Sequence, residues 1–139
     1  MSFEYTDTIH PRISDINYGG HVGHIELIGL LHEVRVRFLN LYSFKETDIH
    51  GNVLIMHNLN ITYNNQVFWN NVLKIEMKIK ADGIKILFDY KVFNITLQNE
   101  AAFAEMKMVL LNKEKEKLTK PDNFIRILNN DNNKRAHKQ

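Results

Sequence analysis

Between His24 and Leu41 the apolar side chains Leu27, Ile28, Leu31, Val34, Phe38 and Leu39 recur at steps of three and four, the spacing that puts them on one side of an α-helix. At about 3.6 residues per turn they form a broad apolar arc. Glu26, Glu33, Arg37 and Asn40 are left as a narrow polar stripe, which predicts a helix buried on most sides. Beyond residue 52 the period becomes two. Val53, Ile55, His57, Leu59, Ile61 and Tyr63 form one alternating set, apolar apart from His57, and Leu73, Ile75, Met77 and Ile79 alternate with Lys74, Glu76, Lys78 and Lys80; both patterns predict strands. Ala81-Asp82-Gly83 has the chemistry of a tight hairpin turn. The return strand carries Ile84, Ile86, Phe88, Tyr90 and Val92 on one face, and after Gln98-Asn99-Glu100 another strand shows Ala102, Ala104, Met106, Met108 and Leu110.

The ends are less regular. Residues 2–12 alternate loosely and stop at Pro11-Arg12, which predicts a short first strand. Residues 112–120 form a charged, solvated run, and Asp122 to Leu128 can make a short helix through Ile125 and Leu128. A single domain is therefore expected over residues 1–128, with a flexible C-terminal tail over 129–139. One long apolar helix followed by consecutive antiparallel strands has a compact solution in which a meander curls around the helix, so the fold class is α+β. A helix of eighteen residues spans about 27 Å, close to a strand of about eight residues. The long last strand leaves an edge to be covered or paired, and dimerisation is the usual remedy.

Composition narrows the function. The 139 residues are 44% hydrophobic and 24% charged, as in globular chains and unlike disordered or collagenous ones. Eighteen basic residues against sixteen acidic ones give a charge of only +2, a poor basis for nucleic-acid binding. Without cysteine there is no disulfide, thiolate zinc site or Cys nucleophile. No leader pattern and no run of about 20 apolar residues occurs, so a cytoplasmic protein without a membrane span is expected.

The chemistry is expected where the polar loop from Arg12 to Gly23 meets the helix start. N–H groups in a first helical turn have no intrahelical partner and carry the positive end of the dipole, so they polarise a carbonyl oxygen and stabilise a tetrahedral oxyanion. Gly19, Gly20 and Gly23 let a ligand approach this backbone. His21-x-x-His24 and His32-Glu33 lack a third ligand at useful spacing, so no metal is expected.

The segment resembles the hot-dog fold acyl-CoA thioesterases of the hydroxybenzoyl-CoA and Tol-Pal-associated type, whose loop reads Asp-x-Asp-x-x-Gly-x-Val-x-His before a helix bearing an Arg. Asp15, Gly20, Val22 and His24 match that loop, and Arg35 with Phe38-Leu39 matches the helix. Ile61-Thr62-Tyr63 and Val72-Leu73-Lys74-Ile75 resemble that family's second and third strands. The resemblance implies hydrolysis of an acyl-CoA or acyl-carrier thioester without a cofactor, in a homodimer or homotetramer with its site at a subunit interface. Asp15, Asn17 and His24 are then the catalytic candidates, and Gly20, His21 and Gly23 the substrate-binding ones.

Asn17 stands where the family has its catalytic acid, and an amide neither accepts a proton from water nor forms an acyl-enzyme. Three readings stay open. Asp15 takes over as base while Asn17 orients the thioester or the water. Alternatively Asn17, Gly20, His24 and Glu33 resemble a second thioesterase pattern with a helical acid nine residues after the His, although Glu33 also has Arg37 four residues on as an ion-pair partner. In the third, hydrolysis is slow, or is lost so that the protein binds an acyl thioester without cleaving it. A hydroxyacyl-thioester dehydratase is a further alternative on the same scaffold.

Overall fold

The computed structural model describes residues 2–130. Strand β1 (Ser2–Ile9) leads through a single 3-10 turn (Ile13–Asp15) and a polar loop into helix α1 (His24–Leu41). Strands β2 (Asn52–Tyr63), β3 (Leu73–Asp82), β4 (Lys85–Asn94), β5 (Asn99–Asn112) and β6 (Lys117–Thr119) follow, and helix α2 (Asp122–Asn130) ends the described chain. All strand pairs are antiparallel, in the order β1-β3-β4-β5-β2, with β6 added beside β5. Helix α1 lies on one face of this sheet, the α+β hot-dog arrangement. α2 covers the helix end with Phe124, Ile125 and Leu128. It continues through Asn129 and Asn130, two residues of the expected tail; residues 131–139 lie outside the described chain.

The predicted periodicities hold where each element has one buried face. In β3 and β4 the inward residues Leu73, Ile75, Met77, Ile79, Ile86, Phe88, Tyr90 and Val92 are all buried. Their facing rows meet Leu31, Val34, Phe38 and Leu39 of α1 in one continuous core. The hairpin between them turns at Gly83-Ile84, one residue later than expected. Gly83 alone takes a positive φ, +62°, as a first central residue of a two-residue hairpin loop can; Ile84 thereby leaves the strand and is partly exposed.

Three expectations are corrected. α1 buries one side only: Leu27, Leu30, Leu31, Val34, Arg35, Phe38 and Leu39 face the sheet, whereas Ile25 is 76% and Val36 43% exposed. A single sheet face covers only one side of a cylinder. Second, the meander holds only for β3-β4-β5, because β2 crosses to the far side and pairs with β5. The long β5 is thus an interior strand, and β1 and β2 are the two edges of the sheet. Third, the alternating set in β2 changes face midway. Val53 and Ile55 pair with Leu111 and Val109, but a bulge between Met56 and Asn58 shifts the register, so Leu59, Ile61 and Tyr63 pair with the inward row Met106, Ala104 and Ala102. His57 is the residue inserted by that bulge and is exposed.

Candidate active site

The loop before α1 is a miniature ribbon. The N–H of Asn17 donates to the carbonyl of His21 at 3.0 Å, and that of Gly23 to the carbonyl of Asp15 at 3.2 Å, with Ile16 opposite Val22 between them. Val22 in turn donates to Val67 at 2.8 Å, tying the ribbon to the β2–β3 connection. At the tip Gly20 takes φ +89° with open space around it, a conformation costly for any residue with a Cβ.

Asn17 builds this tip. Its Oδ1 accepts the N–H groups of Gly19 at 3.0 Å and His21 at 3.4 Å, the local pairing for which Asn is favoured in turns. Asp15 has a similar task one turn earlier. Its carboxylate is buried and accepts the Arg12 backbone N–H at 2.7 Å, with the Arg12 guanidinium at 3.4 and 3.5 Å. Both oxygens are engaged in holding the 3-10 turn.

His21 and His24 do come together, in a cleft of about 480 Å³ between the start of α1, the end of β2 and the β2–β3 connection. Val22, Leu27, Val67, Phe68 and Leu97 supply its apolar lining, and Tyr63, Asn64, Asn65, Gln66 and Asn99 its polar lining. Asp15, Asn17, Gly20, Gly23, Glu26 and Glu33 are not among the lining residues. Glu33 instead pairs with Arg37 at 3.0 Å on the solvent side of α1. The imidazole of His24 meets the Tyr63 ring edge-on, 4.7 Å between centroids. Burial pushes the Tyr63 phenol up, so it stays a donor, and it holds the His24 carbonyl at 2.7 Å. Leu27 makes the first helical N–H bond of α1, to the Gly23 carbonyl at 3.0 Å. Among the described residues no acceptor pairs with the N–H groups of His24, Ile25 and Glu26, which precede it in the first turn.

Beneath α1 lies a second polar group. Arg35 is buried and donates to Glu46 at 2.8 Å, to the Tyr90 hydroxyl at 3.1 Å and toward the Met106 sulfur at 3.1 Å; His32 meets the other Glu46 oxygen at 2.6 Å. Burial raises the Glu46 carboxyl, but hydrogen bonds and charge from Arg35 and His32 outweigh it and hold the group below its ordinary range. This cluster anchors the α1–β2 connection to the helix.

Sequence reasoning missed Tyr63 as a cleft residue and the amides Asn64, Asn65 and Asn99. Their signal was absent from local spacing, because only the β2–β5 pairing brings residues 63–65 beside residue 99. Gly23 also departs from its expected role: the space where its Cβ would stand is filled by the Glu26 carboxylate.

The sequence profile of the thioesterase-like superfamily matches residues 11–127. Comparison with curated protein sequences gives no match. Among solved structures, the DHNA-CoA thioesterase from Staphylococcus aureus superposes with a TM-score of 0.74 at 16% identity, covering 93% of this chain and 95% of that one. The 1,4-dihydroxy-2-naphthoyl-CoA thioesterase from Synechocystis gives 0.75 at 14% identity over 85% and 89% of the two chains. A further Staphylococcus aureus protein, solved in complex with CoA, gives 0.74 at 16% identity over 86% and 77%. Among the described residues no helix is long and apolar enough to cross a membrane. With the profile spanning the loop, α1 and the sheet, the chain belongs to the thioesterase-like superfamily and has its hot-dog fold.

Proposed function

We propose that this protein hydrolyses an acyl thioester of coenzyme A or of an acyl carrier, in the cleft at the start of α1. The observation that carries the reading is the convergence of His21 and His24 on a cleft beside the unpaired first turn of α1. The thioester carbonyl points its oxygen at those N–H groups, which stabilise the oxyanion as water adds. Gly20 keeps the tip low enough for the substrate to pass, and Asn17 fixes that tip. Asp15 acts through position: by locking the 3-10 turn it sets where the ribbon enters the helix. His24 hydrogen-bonds the reacting group and returns a proton to the departing thiolate. A CoA-type carrier is supported by the CoA complex of a structural relative.

Release of free thiol from a panel of short, long, branched and aromatic acyl-CoA and acyl-carrier thioesters tests the reading. Turnover with a defined acyl preference is expected. Stabilisation by these ligands with no thiol released from any of them overturns hydrolysis in favour of binding alone.

The same reading includes assembly through β2, whose outer side has no strand partner among the described residues and which exposes Ile55, Met56, Leu59 and Tyr63 by 38 to 40% each. An edge of this length and apolarity invites pairing with a second copy. Light scattering is expected to give a dimer or tetramer for the wild type and a smaller particle for Leu59→Lys; a monomeric wild type contradicts this.

A further inference from the structure

We propose that Glu26 supplies the carboxylate that activates the attacking water, an assignment that rests on the thioesterase reading above. Other acids near the loop are committed elsewhere: Asp15 to Arg12 and Glu33 to Arg37. Glu26, the third residue of α1, folds back over the helix start until its Oε1 occupies the position a Cβ on Gly23 would take. Gly23 has φ −70° and ψ 160°, a conformation open to any residue. What glycine provides there is room for the carboxylate.

That room lies at the start of α1, next to the cleft residues His24 and Leu27 in sequence, although Gly23 and Glu26 are not themselves among the residues lining the cleft. His21 and Gly23 flank the buried Val22, so by strand alternation their substituent directions share the opposite face. The Glu26 carboxylate therefore sits about 6.6 Å along the chain from His21 on one side of the ribbon. Asn17 is hydrogen-bonded across from His21, and its Oδ1 and the His21 ring both crowd the side of Gly19 where a Cβ would stand, at 3.2 and 3.3 Å from that position. Among the described residues no hydrogen-bond donor or cation engages the Glu26 side chain.

In the step this permits, a water oxygen bonds to the thioester carbonyl carbon while one water proton passes to the Glu26 carboxylate. The tetrahedral oxyanion rests on the first-turn N–H groups. Its collapse breaks the C–S bond, and the thiolate leaves with a proton returned through the site, giving free acid and thiol. No co-reactant other than water is consumed.

Glu26→Gln keeps a residue that serves equally well at the third helical position, so a purely capping role predicts little change. The expected result is a fall in kcat of about 100-fold with KM within about twofold. Gly23→Ala is the second variant. Its methyl displaces only the flexible end of Glu26, so melting stays near the wild type while kcat falls at least about tenfold. Adding Asn17→Asp to Glu26→Gln places a carboxylate on the same face and is expected to restore part of the lost kcat. Retention of kcat within about twofold in both Glu26→Gln and Gly23→Ala, with an active wild type, overturns the assignment. An inactive wild type overturns the thioesterase reading itself, and the assignment with it.

Discussion

His24→Ala is expected to lower kcat by about 1,000-fold, within the range of about 10² to 10⁴ typical for a lost proton-transfer group, while leaving the protein folded. The ring projects into the cleft from the first residue of α1 and is fixed by edge contact with Tyr63. The backbone it leaves behind is unchanged: the Tyr63 hydroxyl bonds the residue-24 carbonyl, which alanine retains, and alanine is the best helix former. Catalysis and stability are thus separable at this position. Steady-state kinetics beside thermal melting checks the prediction, with kcat falling and KM moving little because the imidazole acts on the departing sulfur more than on the bound ground state. Activity within about twofold of the wild type would remove His24 from the mechanism.

Glu46→Ala is expected to carry the largest stability cost, about 3 kcal/mol, since it strips the carboxylate from a buried guanidinium. The value lies at the low end for such pairs because the Glu46 side chain is 24% exposed, against 5% for Arg35, and water replaces part of what is lost. For a domain of this size the melting temperature should drop by roughly 10 °C. The effect depends on pH in a definite direction. The folded-state pKa of Glu46 lies below its ordinary value of 4.5, so its contribution is complete above that value and disappears as pH falls through the lower folded value. Melting curves of wild type and variant should therefore be far apart at neutral pH and converge in acid. A gap independent of pH would mean that the carboxylate charge is not what Arg35 requires.

Arg35 also shows how far the sequence could be read. Its helical spacing was visible and its resemblance to a family arginine was visible, but its partners lie on the α1–β2 connection and on β4 and β5. Partners so distant in sequence leave no local pattern. The limits of α1 were legible because eighteen residues keep one period, and β3 and β4 because their alternation is strict. In β2 apolar residues occupy both parities, so the bulge at His57 and the change of face could not be seen before the pairing with β5 was known. At the site, the loop and its glycines announced themselves, and His21 and His24 do meet in one cleft. Asp15 had two chemically reasonable fates, and three contacts with Arg12 give it the structural one. Glu26 was read only as part of the polar stripe of α1, because in sequence it is an ordinary solvent-facing helix residue. Only the missing Cβ of Gly23 gives its carboxylate a place on the ribbon.

The central claim, that water adds directly to a thioester at the start of α1, is tested most directly by single-turnover hydrolysis of a good acyl-CoA substrate in ¹⁸O-labelled water with enzyme in excess. Mass spectrometry should find one labelled oxygen in the released acid and none in the protein. Label in a protein carboxylate would reveal an acyl-enzyme and contradict direct attack by water, and failure to release any acid would contradict hydrolysis altogether.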